Sequence, residues 1–208
     1  MIRRAMDPMR FAPLLVALFA TGCSLFSAPT VTPTRFFVLT GDRTLSSGTD
    51  SNAKVSIGVG PFTFPRYLSR KQMVRRTDPN QVVFSQFNKW AEPVEAGFLR
   101  VMAENIGWAI GTSQVLLFPW YEIPLEYQVK GEVLRFETND DSEAVLECVW
   151  TVYQLHQKKY LVTRHADLRR PITSDNPDDI AATLSALTAD LAREIGRTVL
   201  TEAATHRR

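Results

Sequence analysis

Apolar and polar positions alternate along three successive stretches in the second half of the chain. They run from Leu125 to Thr138, from Ala144 to His156 and from Tyr160 to Arg170. A period of two puts every second side chain on the same face, so each stretch predicts a half-buried β-strand. Asn139-Asp140-Asp141-Ser142 and Lys158-Lys159 supply the turn chemistry between them. Three neighbouring strands with short connections make an antiparallel meander. Earlier in the chain, Arg35 to Leu39 and Lys54 to Gly60 also read as strands, the second through Val55, Ile57 and Val59. Pro61 and Pro65 are expected to close that strand. Gln72 to Arg76 and Gln81 to Phe87 follow, joined by the turn residues Asp78-Pro79-Asn80. Val115 to Phe118 is a short strand cut off at Pro119.

Two segments change the period to that of a helix. Val94, Phe98, Val101, Met102, Ile106 and Ala109 keep helical spacing, with Pro93 at the start and Gly111 as the stop. Near the end of the chain, Ile180, Leu184, Leu187, Leu191 and Ile195 repeat at spacings of four, three, four and four. Asp175-Asn176-Pro177-Asp178-Asp179 caps that helix and sets two acids against the positive end of its dipole. The expected fold class is α/β or α+β: one mixed, mostly antiparallel sheet carrying two main helices on one face.

The first residues follow another logic. Arg3, Arg4 and Arg10 precede a short apolar run, Phe11 to Ala20, which is too short to span a bilayer at roughly 20 residues. The run ends in Ala20-Thr21-Gly22-Cys23, which resembles the lipobox of bacterial lipoproteins. That makes residues 1–22 a lipoprotein signal peptide and Cys23 the lipid attachment point. Ser24 to Thr34 then reads as a tether, rich in proline and small polar residues. Ser24 is compatible with export to the outer membrane. Residues 35–208 form the single domain.

Composition narrows the function. Three of the 24 basic residues and one of the 22 acidic ones belong to the signal, leaving 24 − 3 = 21 basic and 22 − 1 = 21 acidic residues. A mature chain with no net charge lacks the basic excess that nucleic-acid binding requires. With Cys23 acylated, Cys148 has no disulfide partner, and its place in an alternating run makes it a buried small hydrophobe. His156, His165 and His206 have no second ligand at metal-binding spacing, and no nucleophile elbow or phosphate loop occurs. Asp140-Asp141 and Asp178-Asp179 read as a loop and a helix start. Trp90, Trp108, Trp120 and Trp150 read as core or interface anchors. The expectation is a protein that is not an enzyme and needs no cofactor or metal. Arg66 to Arg76 carries Arg66, Arg70, Lys71, Arg75 and Arg76 within eleven residues, which suits a charged sheet edge or an electropositive contact face.

Several short elements stand in an order that resembles the PqiC family of ABC-type transport auxiliary lipoproteins. They are Val59-Gly60-Pro61, Pro65-x-Tyr67-Leu68-x-Arg70, Gln72-x-Val74-x-Arg76 and Lys89-Trp90-Ala91-Glu92-Pro93, followed by Phe118-Pro119-Trp120 and Tyr127-Gln128-Val129. Ser69 and Lys89 depart from the usual pattern. The resemblance implies a periplasm-facing subunit anchored in the outer membrane of a Gram-negative bacterium. It also implies an MCE-domain membrane protein with its inner-membrane permease as partners in lipid transport and membrane integrity, and a homo-oligomeric ring. Arg66, Arg70 and Arg76 are then expected to contact a partner, with Tyr67 and Trp90 setting the shape of the loop. The alternative is a stand-alone periplasmic lipoprotein that binds lipid or another ligand itself.

Overall fold

The organising element is the long strand β6 (Tyr127–Asn139). In the computed structural model, which describes residues 32–46 and 55–206, β6 has a different neighbour on each part of its length. One side is covered throughout by β7 (Glu143–Gln154), antiparallel, and β7 in turn pairs with β8 (Lys159–Pro171). The other side is shared. Its first half pairs in parallel with β2 (Ile57–Thr63), which carries the short β5 (Val115–Leu117). Its last residues, Thr138 and Asn139, pair in parallel with β3 (Gln72–Asp78). Beyond β3 come β4 (Gln81–Trp90), antiparallel, and β1 (Arg35–Phe37), parallel to β4. The eight strands thus form one mixed sheet that forks along one edge of β6. The meander predicted from the alternation is the unforked half.

Helix α1 (Val94–Ile110) starts behind Pro93 and ends at Gly111, whose φ of 68° is the left-handed conformation that a glycine adopts without steric penalty. The N–H of Gly111 closes the last turn on Gly107 O. Helix α2 (Pro177–His206) is capped as its sequence demands: Asn176 Oδ1 accepts the N–H of Asp178, and the Asp179 carboxylate accepts from Ser174 and Thr173. The helices pack against each other and against the sheet, so the apolar stripe of α2 has the floor it needs. Leu184, Leu187, Leu191 and Ile195 are buried, and the stripe continues through Val199 and Ala203. Facing them, Ala144, Leu146, Cys148, Trp150 and Val152 on β7 are all fully buried. Phe98 on α1 packs where β2 lies beside β6. It makes edge-to-face contacts with Phe62, Phe64 and Phe136 at centroid distances of 5.6, 5.3 and 5.6 Å.

One expectation changes. Pro61 does not end β2, which runs on to Thr63. The pairing with β6 shifts register between Val59 and Phe62, and this irregularity accommodates a residue with no N–H to donate. The signal, Cys23 and most of the tether lie outside the described residues, as does Lys54.

Candidate docking surface

The segment Pro65 to Lys71 crosses the fork from β2 to β3. It forms a single 3₁₀ turn, Arg66–Ser69, closed by the N–H of Leu68 on Pro65 O at 2.9 Å. Leu68 is buried and pins the turn to the core, which leaves Arg66, Ser69, Arg70 and Lys71 exposed. The Arg70 guanidinium lies 4.9 Å above the Phe84 ring. Arg66 is exposed on the same turn.

Arg76, which is indistinguishable from these by sequence, is placed differently. Its Nε donates to Glu137 Oε1 at 2.5 Å, its Nη1 to Pro79 O at 2.9 Å and its Nη2 to the Tyr67 hydroxyl at 3.3 Å. Arg135 donates to the same Glu137 oxygen at 3.1 Å. The Glu137 side chain is wholly buried, so two guanidinium groups compensate one buried carboxylate where β6 changes neighbours. Burial opposes the charge of Arg76, but the hydrogen bond and charge of Glu137 outweigh it and hold the guanidinium protonated more firmly than usual. Burial, reinforced by the Glu137 carboxylate, pushes the Tyr67 hydroxyl up to about 12. The group stays neutral below that pH, so this contribution to stability is present below pH 10 and is lost as pH rises through about 12. Trp90 is buried too, with its N–H on Lys71 O at 2.6 Å. It shapes the segment from beneath and presents no surface to a partner. The structure therefore brings Tyr67 and Arg76 together, leaves Arg66 and Arg70 exposed, and puts Trp90 in the core.

The remaining motifs converge on the other prong of the fork. Phe118 N–H donates to Val59 O at 2.9 Å, and the Gln128 side chain donates to Gly60 O at 2.8 Å. The Trp120 ring lies so close over Gly58 that any side chain there would collide with it. Phe118 and Trp120 meet edge to face at 5.7 Å. This buttress holds out a loop beyond Pro119, where the expected strand stops. Leu117, Phe118, Tyr121 and Ile123 are exposed, four of the nine large apolar side chains exposed among the described residues. The signal available for it was the uncharged run from Gln114 to Tyr121.

Reactive groups are scattered. Burial, and then the charge of Glu194, push the Cys148 thiol up to about 12, far from a reactive thiolate. His165 pairs with Glu147 at 3.1 Å, Asp178 with Arg35 at 2.6 Å and Asp140 with Arg75 at 3.5 Å, each at a separate place on the surface. Among the described residues no three His, Cys, Asp or Glu side chains stand close enough to hold a metal ion.

A family profile of ABC-type transport auxiliary lipoprotein components matches residues 37–196, nearly the whole of the described fold. The chain belongs to this family. A search of curated proteins finds no match. Among solved structures, protein XCC0632 from Xanthomonas campestris superposes with a TM-score of 0.72 at 16% identity, covering 84% of this chain and 100% of that one. An uncharacterized protein superposes with a TM-score of 0.67 at 17% identity, covering 81% of this chain and 99% of that one. These likenesses show that the auxiliary lipoprotein shares their fold. No helix among its described residues is long and apolar enough to cross a membrane.

Proposed function

We propose that this auxiliary lipoprotein is the outer-membrane-anchored, periplasm-facing subunit of an MCE-type lipid transport system. It docks the conduit formed by an MCE-domain protein and its inner-membrane permease, and it does so without turnover or a cofactor. Membership of the transport auxiliary family across residues 37–196 carries the reading. The sequence before the domain adds the anchor: residues 1–22 as signal, Cys23 as the acylated residue and a tether up to Thr34. One acyl chain holds a protein to a membrane only weakly, at about 10⁴ M⁻¹, so stable attachment uses the several chains of a processed lipoprotein.

Two experiments test the reading. Cys23→Ser releases the domain into the soluble periplasmic fraction or leaves uncleaved precursor; a variant still recovered as mature outer-membrane protein contradicts the anchor. Arg66→Glu with Arg70→Glu weakens co-purification of the MCE-domain protein from detergent extract. The same pair changes folding stability by no more than about 1 kcal/mol, because both charges are exposed. Full recovery of the transporter with the doubly reversed protein removes this turn from the docking surface. Recovery of bound lipid but no transport protein with the unaltered chain favours a stand-alone lipid-binding lipoprotein.

A further inference from the structure

β1, β5 and β8 each leave one edge of the described sheet open, as does β4 from Gln81 to Phe87, and the edges of β1 and β8 carry charge. The edge of β8 is long but carries Lys159, Arg164, Asp167, Arg169 and Arg170, the charges that keep a strand from pairing with another chain. β1, three residues long like β5, begins at Arg35, which is tied to Asp178. β5 has neither a charge nor a bulge. Gln114 to Tyr121 contains no charged residue, and it runs directly into the exposed Phe118, Tyr121 and Ile123. Proteins seldom leave an uncharged strand edge beside an exposed apolar loop unless another chain covers both.

The hydrogen bonding of β5 shows which backbone groups are on offer. Gln114 O accepts from the N–H of Ile57, and Phe118 N–H donates to Val59 O. In a parallel pair alternate residues turn their backbone groups toward the same neighbour, so the N–H and C=O of Val115 and Leu117 face away from β2. An added strand would take up these groups, while its side chains reached Leu117, Phe118 and Tyr121. Glu122, exposed at the tip with a φ of 56°, is the single charge between Gln114 and Leu125.

We infer that the open edge of β5 and the loop after it form a strand-addition site for an extended apolar segment of the transport partner, with a cation beyond the apolar residues to meet Glu122. This rests on the docking reading above. Main-chain bonds to Val115 and Leu117 supply affinity, and the aromatic loop selects apolar side chains. A lipid surface would use the exposed rings but leave the strand edge unpaired.

Leu117→Pro tests it directly. The substitution removes the outward N–H and spares every bond between β5 and β2, the one kind of strand position where proline is tolerated. Leu117→Lys, which adds an edge charge and keeps the N–H, is the second variant. Mature lipoprotein in detergent is mixed with purified MCE-domain protein, and amide exchange is followed at single residues. The partner is expected to slow exchange at Val115 and Leu117 at least tenfold. Leu117→Pro and Leu117→Lys should each weaken binding at least tenfold with unchanged thermal midpoints. Binding of both variants at wild-type strength overturns the strand-addition site and leaves the docking reading standing. No binding by the unaltered protein overturns both. Slowed exchange at Val115 and Leu117 without partner, from a second copy, or with vesicles of phosphatidylethanolamine and phosphatidylglycerol, also overturns it.

Discussion

Arg76→Ala lowers the stability of the domain by roughly 3 kcal/mol, although the residue lies in a segment whose other charges are exposed. The cause is Glu137. Its carboxylate is fully buried, and losing one of two guanidinium partners leaves a buried charge half compensated. Removing one member of a buried pair typically costs about 3–5 kcal/mol, and Arg135, still 3.1 Å away, keeps the loss near the lower end. For a domain of this size the thermal midpoint should fall by about 6–12 °C. Adding Glu137→Gln to the alanine variant should restore much of the loss, since a neutral amide carries no charge to compensate. A loss under 1 kcal/mol, the usual worth of an exposed pair, would show that the network does not hold the fork together.

Leu187→Ala costs roughly 2–5 kcal/mol. Leu187 is 1% exposed, midway along the stripe of α2, with Leu184 and Leu191 one turn to either side. Truncation removes apolar surface from contact and leaves a space that the fully buried β7 floor, Leu146 to Val152, is too rigidly paired on both sides to fill. Urea unfolding reads the loss, and a cost below about 1 kcal/mol would mean that α2 sits loosely on the sheet.

The elements were legible because each reports its own burial through its own period. The β7 run from Ala144 to Val152 alternates, and one face of it is in the core. The α2 stripe repeats at helical spacing, and its cap is written in Asn176, Asp178 and Asp179. Gly111 ends α1 as a glycine should. The candidate surface was only half legible. Arg66, Arg70 and Arg76 look alike in a row of basic residues, yet Arg76 meets a carboxylate 61 positions away. Val115 to Phe118 has the composition of a buried strand, yet its end is exposed, because β5 lies at the border of the sheet.

By itself, then, the sequence determined the strands and helices, their caps and the family. These depend on residues near one another along the chain, or on short motifs in a given order. Tertiary structure alone decided the fork at β6, the inward turn of Arg76 and the outward turn of the loop from Leu117 to Ile123. Each of these depends on which distant strand lies alongside. Pairing across a sheet is chosen by the free energy of the whole assembled core, and no local period records it.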